Sequence, residues 1–284
     1  MNLEALRGHR FPVTRVAYSD KDTMLYALSV GAASNPCDPR ELRFVFEKDL
    51  CVLPTIAAVL AHPGPWIANP CFGVSYSKLL HGEQQLIVHR PLAPAGEIDA
   101  SYRLAAVVDK GEGKGALVHF EKQLHDAASS KLLCTVRSTL FLRGDGGAGS
   151  FGTPPEPLPA TPDVPLERLD ELKTSIGSAL LYRLNGDRNP LHADPAAAAE
   201  AGFDRPILHG LCTYGVVGYL LVRSVCNHDP SRLLSLGARF SSPVFPGETI
   251  RLEAARRSDE VYFRATVPER DEVVLSQGFA RVVA

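Results

Sequence analysis

No apolar run in the sequence approaches the roughly 18 residues that a bilayer-spanning helix requires, so a transmembrane helix is excluded as its organising element. The six cysteines (Cys37, Cys51, Cys71, Cys134, Cys212 and Cys226) include no C-x-x-C pair, and several sit in apolar runs. They are expected to be reduced packing residues, as in a cytosolic protein. Charge of either sign is not in excess: 30 Lys and Arg stand against 32 Asp and Glu. Without a basic stripe there is no footprint for nucleic acid, and without a polybasic helix none for a membrane surface. The segment Met1 to Phe11 carries Glu4, Arg7 and Arg10 and lacks the apolar core of a signal peptide. The closing Arg281-Val282-Val283-Ala284 is not an S-K-L type address. A cytoplasmic location is therefore expected. Histidines such as His119, His125 and His228 fit no metal-ligand spacing, and no metal or other cofactor is expected.

What is present is an ordinary globular composition, 45% hydrophobic and 22% charged, over 284 residues. That length allows one large domain or two of common size. Half of the stretch Gly144 to Pro165 is Gly or Pro, a composition that disfavours helix and strand alike. It divides the chain into residues 1–143, a linker at 144–166 and residues 167–284.

The two halves echo each other. Arg90-Pro91-Leu92-Ala93-Pro94-Ala95-Gly96-Glu97-Ile98 leads into strand-like runs near Ile98–Val108, Ala116–His125 and Leu132–Leu142. Ser242-Pro243-Val244-Phe245-Pro246-Gly247-Glu248-Thr249-Ile250 leads likewise into runs near Thr249–Arg257, Val261–Val267 and Val273–Val282. The alternation in Val261-Tyr262-Phe263-Arg264-Ala265-Thr266-Val267 fits antiparallel strands with one buried face. Each half also offers one strongly apolar helix, at Asp49–Ala61 and at His209–Val225. A helix apolar over most of its surface must be wrapped by something. The fold class predicted is α+β, a double hot-dog: two antiparallel sheets, each around a central helix.

A second echo locates the chemistry. Tyr26-Ala27-Leu28-Ser29-Val30-Gly31-Ala32-Ala33-Ser34-Asn35-Pro36-Cys37-Asp38-Pro39 parallels Tyr182-Arg183-Leu184-Asn185-Gly186-Asp187-Arg188-Asn189-Pro190-Leu191-His192-Ala193-Asp194-Pro195, but only the second copy holds Asp187 and His192. Gly186 permits a tight turn before the Asp, and Pro190 stops a helix and keeps Asn189 extended. The chain should double back and bring a carboxylate and an imidazole onto one bound water, an acid/base pair. The competing interpretation makes Asp187 and Asp194 turn caps and His192 an ordinary loop histidine.

The stretch Tyr182 to Ala201, with Arg205-Pro206-Ile207-Leu208-His209-Gly210-Leu211-Cys212-Thr213-Tyr214-Gly215, resembles the hydratase 2 motif of the MaoC-like (R)-specific enoyl-CoA hydratases. Leu80-His81-Gly82-Glu83-Gln84 and Val108-Asp109-Lys110-Gly111-Glu112-Gly113-Lys114-Gly115 resemble segments of the degenerate repeat in their two-repeat members, such as the hydratase part of peroxisomal multifunctional enzyme type 2. The resemblance implies hydration of trans-2-enoyl-CoA to (3R)-3-hydroxyacyl-CoA in fatty-acid and lipid metabolism, with an acyl-CoA thioester as substrate and a homodimer as assembly. It implies Asp187 and His192 as the acid/base pair and Gly210 as oxyanion donor. Gly210 opens the buried helix, where backbone N–H groups lack intrahelical partners; the alternative is a close-packing glycine. Asn189 would orient the pair or the thioester, or else only form the turn before Pro190. His81, Gly82, Lys110 and Phe240 would line the CoA or acyl path, while Tyr182 packs the motif.

Fold does not decide function. A thioesterase has no use for the Asp187–His192 motif. A dehydratase acting on a carrier-protein thioester runs the same chemistry in reverse, and a non-catalytic acyl-CoA-binding protein would need neither side chain. The cluster His62-Pro63-Gly64-Pro65 should end the first-half helix early and leave room for bulky acyl chains.

Overall fold

The computed structural model describes residues 1–283. Eleven strands form one antiparallel sheet: β1 (Thr14–Tyr18), β2 (Leu79–Val88), β3 (Gly96–Asp109), β4 (Ala116–Asp126), β5 (Leu132–Leu142), β6 (Phe151–Gly152), β7 (Glu167–Lys173), β8 (Leu233–Phe240), β9 (Thr249–Arg257), β10 (Glu260–Val267) and β11 (Glu272–Val282). The order is β1-β3-β4-β5-β2-β8-β11-β10-β9-β7, with β6 pairing on β3. Read from the middle outward, β2 and β8, β5 and β11, β4 and β10, β3 and β9, and β1 and β7 occupy matching places. The repeat visible in the sequence is therefore a repeat of topology. The two hot-dog units join edge to edge where β2 pairs antiparallel with β8, from Glu83 opposite Arg239 to Ile87 opposite Ser235. That pairing removes two free sheet edges at once.

Among the described residues there are six α-helices, besides short 3₁₀ turns: α1 (Leu3–Gly8), α2 (Asp20–Ser29), α3 (Pro39–Leu42), α4 (Ser178–Tyr182), α5 (Pro195–Glu200) and α6 (Gly210–Ser224). Every residue of α6 from Cys212 to Val222 is buried, and Tyr214, Val217, Leu220 and Leu221 are at 0% exposure. This is the wrapped helix expected of the second half. Among the described residues no helix is long and apolar enough to cross a membrane.

The helix expected at Asp49–Ala61 is corrected by the structure. Only a single 3₁₀ turn, Pro54–Ala58, forms there. Pro54 has no N–H to donate and cannot sit inside a continuous helix. Asp49 and Ala61 take positive φ, +57° and +49°, so the chain turns away at both ends. The carbonyls that a longer helix would have satisfied are met by a side chain instead. Lys122 of β4, 2% exposed, donates from Nζ to the Ala58 carbonyl (3.1 Å) and the Leu60 carbonyl (2.6 Å).

The echoed motifs face each other across the centre of the molecule. The Tyr26 and Tyr182 rings lie 6.2 Å apart, and Asn185 Nδ2 donates to Ser29 Oγ at 3.0 Å. Tyr26 and Tyr182 hold equivalent places in the echo, as do Ser29 and Asn185. The first-half copy thus buttresses the segment that carries Asp187.

Candidate active site

The loop between α4 and α5 does what its Gly and Pro residues suggest. Tyr182, 1% exposed, anchors its start. Gly186 adopts φ +119°, a conformation costly for any residue with a Cβ, and turns the chain so that Asp187 faces inward. The Asp187 carboxylate accepts the Asn189 N–H at 3.1 Å, and the Asn189 side-chain oxygen accepts the Leu191 N–H at 3.1 Å. Asn189 is therefore the turn-former the sequence allowed, and it orients Asp187 through its backbone. Pro190 begins a 3₁₀ turn, Pro190–His192, that carries the His192 ring back into the protein.

His192 is buried, and its Nδ1 lies 2.9 Å from the Ile207 carbonyl. The tautomer that satisfies this carbonyl has the proton on Nδ1 and leaves the Nε2 lone pair open. Burial lowers the His192 pKa below its ordinary value, opposed by the Ile207 carbonyl and the Asp187 charge. The imidazole is neutral at neutral pH, the state a base requires.

A third side chain completes the cluster, one to which sequence reasoning gave no role. His209 stacks on His192 with ring centroids 3.7 Å apart and planes inclined by 26°. Its Nε2 lies 3.2 Å from the Asp187 carbonyl, and its buried Nδ1 has no partner. Burial, then the neighbouring His192, push its pKa down to about 4. The signal was present: Leu-His-Gly occurs twice, at Leu80-His81-Gly82 and at Leu208-His209-Gly210. Both copies end at this site.

Ligand atoms from Asp187, His192 and His209 fall within 4.8 Å of one another, as in a metal cage. The stacking speaks against that use. Imidazole lone pairs lie in the ring planes, and two rings stacked nearly parallel do not aim them at one point some 2.0–2.1 Å from both. A small polar molecule such as water is the better fit to an open Nε2 beside a carboxylate.

Gly210 is the first residue of α6, which has no side-chain cap. Its N–H lies at the positive end of a buried 15-residue helix, on an exposed residue. A Cβ at Gly210 would stand 3.3 Å from the Phe240 ring, so only glycine leaves this approach open. Phe240, half-buried at the end of β8, packs on His81 with centroids 4.7 Å apart. Gly82 sits at the bulge between His81 and Glu83 where β2 pairs with β5. His81 and Phe240 thus converge from the two halves beside the α6 N-terminus, whereas Gly82 faces Thr139 and Phe141 of β5. Lys110 lies farther out. It is exposed on the β3–β4 hairpin, and its Nζ stands 5.8 Å from the centroid of the Phe141 ring.

Two family descriptions match the chain: "MFE-2 hydratase 2 N-terminal domain" over residues 16–144 and "MaoC like domain" over residues 158–277. The chain is 37% identical to the peroxisomal enoyl-CoA hydratase 2 of Arabidopsis thaliana, covering 97% of this chain and 94% of that one. It is 40% identical to the 3-hydroxyacyl-thioester dehydratase Y of Mycobacterium tuberculosis, covering 94% and 93%. Among solved structures, a MaoC-like dehydratase from Phytophthora capsici superposes with a TM-score of 0.87 at 31% identity, over 100% of this chain and 99% of that one.

Proposed function

Since the chain belongs to the MaoC-like hydratase 2 family, we propose that it is an (R)-specific 2-enoyl-CoA hydratase, a hydro-lyase that converts trans-2-enoyl-CoA into (3R)-3-hydroxyacyl-CoA. One observation carries the chemistry. The Asp187 carboxylate and the open edge of a neutral, Nδ1-tethered His192 share one small volume beside the α6 N-terminus. Water held between the two loses a proton as its oxygen bonds to C3 of the enoyl thioester. The C2–C3 π pair moves toward the thioester, and C2 takes up a proton from the same pair of groups. Between these events the thioester oxygen carries negative charge. The Gly210 N–H, with the α6 dipole behind it, is placed to hold that charge. Asn189 and His209 keep Asp187 and His192 in register. His81, Gly82 and Phe240 line the acyl thioester path, and Lys110 is suited to a CoA phosphate at the rim.

On this reading residues 1–143 bind acyl-CoA, 144–166 link, and 167–284 react. Neither a metal nor a redox cofactor is needed. We read the protein as a cytoplasmic homodimer. The exposed Ile176 and Leu180, just before the motif, and Leu184, near its start, offer apolar surface for a second copy. The relative from Arabidopsis thaliana is named as peroxisomal, so fractionation decides the compartment. The reverse reaction on a carrier-protein thioester is the second reading, favoured by the 40% identity to a hydroxyacyl-thioester dehydratase. Chiral analysis of the product from a CoA ester alone tests the proposal. The expected product is (3R), formed equally in the presence of a chelator. An (S) product, no turnover of free CoA esters, or loss of activity with chelator contradicts it.

A further inference from the structure

The place where the first hot-dog unit lacks its helix keeps an unfilled space whose walls are apolar at Ala58, Phe120, Val136, Leu140 and Leu211 and polar elsewhere. A cavity of about 60 Å³ lies there, between the Pro54–Ala58 turn and the inner face of β4, β5 and β2. Its walls include Leu211, the residue after Gly210, and His81, whose ring packs on Phe240. It therefore begins beside the position given to the thioester and runs inward, away from the surface where Lys110 sits.

Its polar lining is one-sided in hydrogen-bond character. Lys122, His62, His81, Gln84 and Ser138 line it, and no carboxylate does. The Gln84 side-chain oxygen accepts from Ser138 Oγ at 2.7 Å, which leaves the amide NH₂ as the unengaged end. His81 Nε2 is buried without a partner. In its charged form Lys122 places two of its three N–H bonds on the Ala58 and Leu60 carbonyls, so one remains. A buried amine on a sheet's inner face carries a large desolvation cost, which burial expresses by lowering its pKa to about 7. A plain hydrocarbon tail would leave these buried polar groups unmet, which is costly. An oxygen acceptor entering the cavity would satisfy the Gln84 amide and the Lys122 ammonium, and the His81 ring in the tautomer protonated on Nε2.

We propose that this cavity is a subsite for an acyl chain bearing an oxygen acceptor on its tail, a carboxylate or a carbonyl, recognised by Lys122 with Gln84 and His81. The inference rests on the proposed acyl-CoA chemistry and names the class of acyl group. It concerns the tail, because CoA's own phosphates belong at the surface and the cavity lies beneath the sheet.

The test compares three CoA esters on the purified protein: crotonyl-CoA, a medium-chain enoyl-CoA ending in methyl, and one of equal length ending in carboxylate. Saturated analogues of the two longer esters are titrated by calorimetry, which reads the subsite without turnover. The expected result is tighter binding and a lower KM for the carboxylate-tailed ester, by about tenfold or more, as a charge-assisted hydrogen bond supplies. Lys122→Met should abolish that preference while crotonyl-CoA is still hydrated. If Lys122→Met does not fold, Gln84→Met serves, and should cut the preference severalfold. Equal binding of the two tails by the unaltered protein overturns the proposal. So does an equal loss on all esters with a lowered Tm, which would make Lys122 only a strut for the Pro54–Ala58 turn. Failure to hydrate crotonyl-CoA, with the binding preference intact, overturns the hydratase reading and leaves the subsite standing.

Discussion

The imidazoles of His192 and His209 lie face to face, 3.7 Å between centroids, and each uses one nitrogen on a backbone carbonyl of the loop opposite. His192 holds Ile207, next but one before His209, and His209 holds Asp187, five residues before His192. The two loops are thus laced together through the two rings. On the proposed function His209 is a positioning residue: its stack and its carbonyl contact hold the plane of His192 and the backbone of Asp187 without needing to touch substrate.

His209→Ala should therefore lower kcat by about tenfold to a hundredfold, the size expected of a small misplacement of reacting groups, with little change in crotonyl-CoA KM. Removing the stacked ring also admits water to His192, so its pKa should rise toward its ordinary value and carry the acid limb of kcat/KM upward. His209→Phe keeps the stack and should recover part of the rate. A fall in rate with an unmoved acid limb would assign His209 to folding alone.

The pH profile follows from the state of His192. Its pKa lies below the ordinary 6.5 because burial disfavours the charged ring. A group whose pKa is lowered stays neutral to lower pH. Activity that needs neutral His192 should persist as pH falls through 6.5 and decline only below it. Initial rates of kcat/KM across pH 5 to 8 give the limb directly. An acid limb above 6.5 would contradict a buried, neutral base.

Much of this was legible beforehand, and the gaps have physical causes. Leu132–Leu142 and Thr249–Arg257 were bounded by turn residues on both sides, and the strands end where those residues do. The strands β2 and β8 that join the halves were not marked. Leu80-His81-Gly82-Glu83-Gln84 has a glycine bulge that breaks strict alternation, and a pairing between distant strands leaves no local trace. The first-half helix was expected because Asp49–Ala61 is strongly apolar. Apolar content does not weigh Pro54, whose missing N–H decides the outcome. The turn that presents Asp187 and His192 was readable from Gly186 and Pro190. The repeated Leu-His-Gly marked His209, but its role was not readable, because its contacts are to the Asp187 carbonyl and to a ring that only folding brings near.

The broken helix makes separate predictions for two adjacent alanines. Ala58 lines the cavity, whereas Ala57 is at 0% exposure within the main apolar core. Ala58→Leu should reduce hydration of medium- and long-chain esters more than that of crotonyl-CoA, by roughly 1–3 kcal/mol for each methylene displaced. Ala57→Leu should instead lower Tm and depress all substrates alike, through overpacking worth about 1–3 kcal/mol. Rate ratios for long and short esters, with melting curves, separate the two. An unchanged ratio in a stable Ala58→Leu protein would remove this half from acyl selection.

In the proposed function Asp187 and His192 together hold and activate one water at an enoyl-CoA thioester. The most direct measurement is the rate at which the enoyl thioester absorbance of crotonyl-CoA disappears with the unaltered protein, Asp187→Asn, His192→Ala and the double variant, each checked for an intact fold. Rapid hydration by the first is expected, with a loss of roughly 10²–10⁴-fold in each single variant. The double variant should lose little more than the worse single one, because the two groups serve the same water. Near-normal hydration by either single variant, or losses that multiply in the double, would contradict it.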